Sequence, residues 1–275
     1  MRTFLVLLSR EVRSLFYTPI AYVVLFFFLA LMGFNFQGAV TFLNQGPTET
    51  TLVEGTFYNL IFWFIFPLLF PLITMRAFSE EYRMGTIETL STAPVNDWQI
   101  VLSKFFGAVT FYVILFLPTF LYFKTFALIS EKRVLDLAWN DGFRSFFGKV
   151  FELLKNHTAA GSYWSSYMLL LLLGMFFISI GIFASSLVKD QVNAAIISLA
   201  TVLLYLFVPN LLSLMLNSTD PRFTSMRGFL SPFDHMRDFT RGMVDTRQVV
   251  WYLSMTALLL VITHQVFQSR KLKAA

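Results

Sequence analysis

Six stretches of this chain are almost unbroken runs of apolar side chains, at about 20–42, 57–75, 101–128, 163–188, 192–216 and 249–267. Such runs leave few ways to fold. A helix of roughly 20 residues crosses a bilayer core about 30 Å thick. It also satisfies its own backbone N–H and C=O groups, which lipid cannot do. The sequence therefore predicts an all-α integral membrane protein with six transmembrane helices. Composition supports this where it discriminates: 13% of the residues are charged, about half the share usual in soluble domains. No repeated unit is visible, and residues 1–275 read as a single membrane domain. The first apolar run is longer than the roughly 7–15 residues of a signal-peptide core, so it is expected to remain in the mature protein.

Several function classes fall away early. The chain has no cysteine, which excludes disulfides, thiolate metal sites and cysteine nucleophiles. Its net charge of +5 is carried by basic residues lying singly in short connections. That pattern fits membrane topology and headgroup contact, not a nucleic-acid face. The three histidines, His157, His235 and His264, lie on different segments and form no metal-ligand spacing. His157 reads as solvated, and His235, between Asp234 and Asp238, as part of a surface ion pair. The run GFRSFFGK at 142–149 lacks both the spacing and the hydroxyl of a phosphate loop. Neither a catalytic group nor a metal site is expected.

Orientation follows from Lys and Arg in the short flanks of the spans. Arg2, Arg10 and Arg13 precede the first span, whereas the connection after it carries Glu49 and Glu54 and no base. Arg270, Lys271 and Lys273 follow the last. Both termini are expected in the cytoplasm. Over the whole chain the basic residues divide evenly between the two sides, so the assignment rests on the ends and the first loop.

The opening run MRTFLVLLSREVRSLFYT places Phe4, Leu5, Leu8, Val12, Leu15 and Phe16 at helical spacing. This predicts an amphipathic interfacial helix that ends at Thr18-Pro19. A second amphipathic stretch, about Asp141 to Leu154, is expected on the outer surface. Residues 217–248, broken by Pro and Gly, suit short outer-face helices before the last span, or a compact loop. The span cores hold almost no ionisable group, apart from Lys124 near an outer end, which weakens an ion-relay reading. The aromatic groups Phe26–Phe28, Phe57, Phe62–Phe66 and Phe176-Phe177 read as packing or lipid contact in preference to a substrate route.

One polar island interrupts this pattern: SEEYRMGTIETLSTAP at 79–94. The preceding span contains Pro67 and Pro71, which are expected to kink it. Glu80 and Arg83 then lie three apart on one helical face. Gly85 stops that helix, Thr86 can cap a short one from Ile87 to about Thr92, and Ala93-Pro94 ends it. Asn96 is placed as the N-cap of the next span, with Gln99 three residues on and Val95 and Ile100 as a hydrophobic staple. The hairpin reads as a rigid cytoplasmic knob.

The run Arg76, Glu80-Glu81, Gly85-Thr86, Glu88, Leu90, Pro94 and Lys104 resembles the cytoplasmic signature of ABC-2 type transporter permeases. The stretches REVRSLFYTPIAYVV and SPFDHMRDFTRGMVDTRQVVWYLS are similar to the same family, in the branch of gliding-motility-associated and nitrous-oxide-reductase-maturation permeases. The resemblance implies a multi-pass protein of the bacterial inner (plasma) membrane. It implies the permease subunit of an ATP-binding cassette exporter, working as a dimer with a second permease copy or paralogue. Its other partners are the lipid bilayer and a cytoplasmic ABC ATPase subunit, with no nucleic acid. No cofactor is bound by this chain; ATP and Mg belong to the partner. The short helix in the hairpin is then a cytoplasmic coupling helix. ATPase-coupling residues are implied at Glu80, Glu81, Arg83, Gly85, Thr86, Ile87, Glu88, Leu90 and Pro94. The bland alternative is a solvated loop with local ion pairs. A rival in another class is a non-transporting membrane subunit of an ATP-driven envelope or motility machine. An intramembrane enzyme and an ion-coupled carrier are disfavoured by the scarcity of ionisable groups.

Overall fold

The computed structural model describes residues 2–45, 50–85, 96–122, 160–216 and 227–274. Every regular element among them is helical: α1 Arg2–Tyr17, α2 Pro19–Leu43, α3 Leu52–Phe57, α4 Leu60–Thr74, α5 Ser79–Met84, α6 Asp97–Phe116, α7 Ala160–Leu187, α8 Gln191–Leu216, α9 Pro232–Thr240 and α10 Thr246–Ala274. Among the described residues, six helical segments are long and apolar enough to cross a membrane: Pro19–Leu43, Leu60–Met84, Asp97–Tyr122, Gly161–Leu187, Gln191–Leu211 and Thr246–Lys271. The amphipathic stretch near 141–154, Lys124 and His157 lie outside the described residues.

Local chemistry sets where the helices begin. Pro19 opens α2 at a position where its missing N–H is no loss. Asn59 caps α4, its Oδ1 accepting from Phe62 N at 2.9 Å. The cap sets the start of α4 inside the expected run, and the short helix α3 just before it packs on α2. Asn35 of α2 donates to the Thr56 carbonyl at 2.8 Å, and Asn59 to that of Gly55 at 2.9 Å. The helix α4 runs on through both Pro67 and Pro71. Asp245 starts α10 ahead of its apolar run, accepting from Arg247 N at 2.9 Å.

The helix α7 is central and packs against α4, α6, α8, α9 and α10. Lipid tails are as apolar as leucine, so close packing and hydrogen bonds must hold such a bundle together. Phe62, Phe66 and Phe70 line one face of α4 at four-residue spacing, fully buried. Phe177 of α7 meets Phe66 at 5.9 Å and Phe70 at 5.1 Å, and Phe116 of α6 meets Phe66 edge-on at 6.1 Å. Tyr112 of α6 ties the layer together, donating to the Leu170 carbonyl at 2.8 Å. These aromatics are core packing. By contrast, Phe26, Phe27 and Phe34 of α2 and Val192, Ile196 and Leu204 of α8 are exposed, as suits surfaces turned to lipid.

The helix α1 is amphipathic, and its apolar face packs on α6, where Phe4 meets Phe106 at 6.4 Å and Phe16 meets Phe111 at 5.3 Å. At the opposite end of the bundle, Ser231 caps α9, which lies on α7. Here one expectation is overturned. His235 is fully buried rather than part of a surface ion pair, and its Nδ1 lies 2.6 Å from the Tyr252 hydroxyl. The reason is helical phase: His235, Met236 and Phe239 share the buried side of α9, while Asp234 pairs with Arg227 at 3.8 Å.

Candidate functional site

The polar island begins where α4 ends. Residues 75–78 form a turn, and Phe78 at its close is fully buried. The first N–H groups of a new helix need partners. Here Ser185 of α7 supplies one, its Oγ accepting from Phe78 N at 3.0 Å and Ser79 N at 3.1 Å. The base of α5 is thereby fixed to the central helix. Its first turn carries Glu80 and Glu81 and its last Arg83, an order that suits the helix dipole. Gly85 ends it with φ of 69°, in the left-handed region. A side chain there would be strained, so glycine permits the sharp exit of the chain.

Glu81 points into a cluster of four charges. Lys104 of α6 is the centre, its side chain only 3% exposed. Its ammonium lies 2.8 Å from Glu81 Oε1 and 3.4 Å from Glu11 Oε1 of α1. Arg10 lies 2.9 Å from Glu11 and 3.4 Å from Glu81, with its side chain half exposed. The Phe78 ring centroid stands 5.2 Å from the ammonium, close enough for a cation–π contribution. Two bases face two acids, so the formal charges balance. A buried ammonium is tolerated only when paired and hydrogen-bonded in this way.

Close backbone approach makes the cluster possible. A Cβ added at Gly107 would stand 3.0 Å from Glu11 Cβ, so glycine lets α1 settle against α6 with Glu11 beside Lys104. The quartet thus joins three helices that are far apart in sequence: α1 by Arg10 and Glu11, α5 by Glu81, and α6 by Lys104. Downstream, Asn96 caps α6 as expected, accepting from Trp98 N at 3.2 Å.

Of the residues implied by the hairpin motif, Glu81 and Gly85 take defined structural roles. Glu80 and Arg83 share α5 with Glu81 but stand outside the quartet, and Arg83 is exposed. Thr86, Ile87, Glu88, Leu90 and Pro94 lie outside the described residues. Sequence reasoning missed Arg10 and Glu11. Their signal was present, since Glu11 is the one acid in a helix whose other charged residues are all basic. Lys104 was legible within the motif, but its partners were not. Among the described residues, no three imidazoles or carboxylates converge as a metal site. The quartet holds its ions in mutual compensation, and its capability is mechanical: it fixes three helices to one another.

Comparison with known families matches residues 6–272 to the family described as ABC-2 family transporter protein. The chain belongs to this family. Among curated proteins, no match is found. The ABC-2 membership and the six apolar helices make it a multi-pass transmembrane subunit of the ABC transporter class. Subunits of the ABC-2 family are in general non-catalytic membrane components.

Proposed function

We propose that this chain is the permease subunit of an ABC exporter in a bacterial inner membrane, driven by ATP hydrolysis on a separate cytoplasmic ATPase. The observation that carries the reading is the buried Lys104, held between Glu81 and Glu11 at 2.8 and 3.4 Å. Force applied to a protruding hairpin reaches the spans only if the hairpin is rigidly rooted. A flexible loop would absorb it. In this reading residues 76–100 face the cytoplasm, together with both chain termini. The coupling role is assigned to residues 86–92, which lie outside the described residues, and the quartet with the Ser185 contacts anchors the segment that leads to them.

ATP and Mg are assigned to the partner subunit, and this chain contributes no catalytic group. Glu80, Glu81, Arg83, Gly85, Thr86, Ile87, Glu88, Leu90 and Pro94 form the ATPase-facing segment or its support. Two permease copies, or one copy and a paralogue, form the membrane core. The export direction rests on the family likeness. The assignment to the gliding-motility-associated and nitrous-oxide-reductase-maturation branch rests on the runs REVRSLFYTPIAYVV and SPFDHMRDFTRGMVDTRQVVWYLS. The test is co-expression with an ABC ATPase encoded beside the gene, followed by affinity purification through the permease. The ATPase is expected in the eluate in stoichiometric amount. Its absence would overturn the proposal.

A further inference from the structure

The last turns of α10 reach the root of the hairpin through contacts separate from the ion pairs of the charged quartet. Positions 264, 267, 270 and 271 recur at three- to four-residue spacing and therefore share one stripe of the helix. Each of the four makes a contact there. His264 stacks on Trp98 of α6 with centroids 4.2 Å apart and planes within 12°. Phe267, 1% exposed, packs on Phe78 at 5.7 Å. Lys271 Nζ lies 3.1 Å from Asp97 at the start of α6. Arg270 does two things at once. Its guanidinium lies over the Tyr82 ring of α5 at 4.8 Å, and it donates to the Leu187 carbonyl at the end of α7.

We infer that the end of α10 is a strut that sets the orientation of α5 and the start of α6, with Arg270 and Lys271 as positioning residues for the ATPase-facing hairpin. Arg270 suits the role by shape. Terminal helix carbonyls lack intrahelical partners, and a planar guanidinium donates at its edge while stacking with its face, which an ammonium does not match. Lys271 adds a cation opposite an acid in the first turn of α6, where the helix dipole already favours Asp97. The quartet holds α5 through Glu81 and the strut holds it through Tyr82, so the helix is restrained at adjacent positions by two separate sets of contacts. The consequence for ATP-driven motion rests on the function proposed above. The geometric claim does not.

The chain has no cysteine, so a single nitroxide at Met84→Cys, an exposed position on the last turn of α5, reports hairpin motion in nanodiscs. Arg270→Ala and Arg270→Lys are both expected to raise the mobile spectral fraction by about twofold or more. Arg247→Ala, at the other end of α10, should leave the spectrum unchanged. Superimposable spectra for the parent and both Arg270 variants would overturn the inference. If Arg270→Ala does not yield monodisperse protein, Lys271→Ala and Asp97→Ala serve in its place, and each must loosen the label. In the complex with its ATPase, Arg270→Lys should lower hydrolysis several-fold at undiminished co-purification. A parent chain that recruits no ATPase defeats the function reading and leaves the spectroscopic result to decide the strut.

Discussion

Lys104 is the residue whose loss leaves the most behind. Truncating it leaves two carboxylates, Glu81 and Glu11, only 16% and 17% exposed, to share the half-exposed Arg10 as the one cation of the quartet. Breaking a buried pair from one side costs about 3–5 kcal/mol, so Lys104→Ala should lower the thermal midpoint in nanodiscs sharply. Lys104→Met combined with Glu81→Gln removes charge from both sides and should cost clearly less than the sum of the single changes. A strictly additive cycle would show that the two groups are uncoupled. The quartet was illegible in the sequence for a physical reason. Glu11 and Lys104 are 93 positions apart, and no local pattern specifies which helix settles beside which. His235 was misread on the same scale. Flanking aspartates suggested solvent, whereas helical phase turned the ring inward. Burial lowers its pKa from the ordinary 6.5, against the opposing pull of the Gly228 and Phe229 carbonyls and of Asp234 and Asp238. A depressed imidazole binds its proton more readily in the unfolded chain. Stability is therefore complete above about pH 6.5 and falls as the pH drops toward the folded-state value. A melting series across that window should show the acid limb in the parent and its loss in His235→Asn.

Elements were more legible than contacts, because their signals are local. Thr18-Pro19, the Gly85 stop and the Asn96 cap all mark real helix ends. Amphipathicity in α1 was also plain in the run of Phe4, Leu8, Val12 and Phe16. Periodicity gives a face but not the partner that covers it, so the packing of that face on α6 could not be read in advance. Gly107 allows this docking, and Gly107→Leu should pry the two helices apart. Overpacking of this kind costs about 1–3 kcal/mol. The specific signature is local: protease or label access to α1 should rise before the bundle as a whole unfolds. Equal access in parent and variant would place the α1 contact elsewhere.

At the scale of the whole molecule, hydrophobic run length sufficed for six spanning helices, since a bilayer imposes one thickness on all of them. Sidedness is a separate matter, carried by the few basic residues at the ends. With no native cysteine, single substitutions test it directly. Met84→Cys, on the hairpin helix, should react with an impermeant maleimide only from the cytoplasm. Met243→Cys, exposed after α9, should react only from outside. The claim that joins every scale is that an external motor drives this bundle through the hairpin. Its most direct test is vanadate-sensitive ATP hydrolysis by the permease and its genetically adjacent ATPase in nanodiscs, comparing the parent with Gly85→Pro and Glu88→Arg. Hydrolysis by the parent complex is expected, with loss of assembly or hydrolysis in both variants. Parent-like assembly and hydrolysis in the two variants would contradict it.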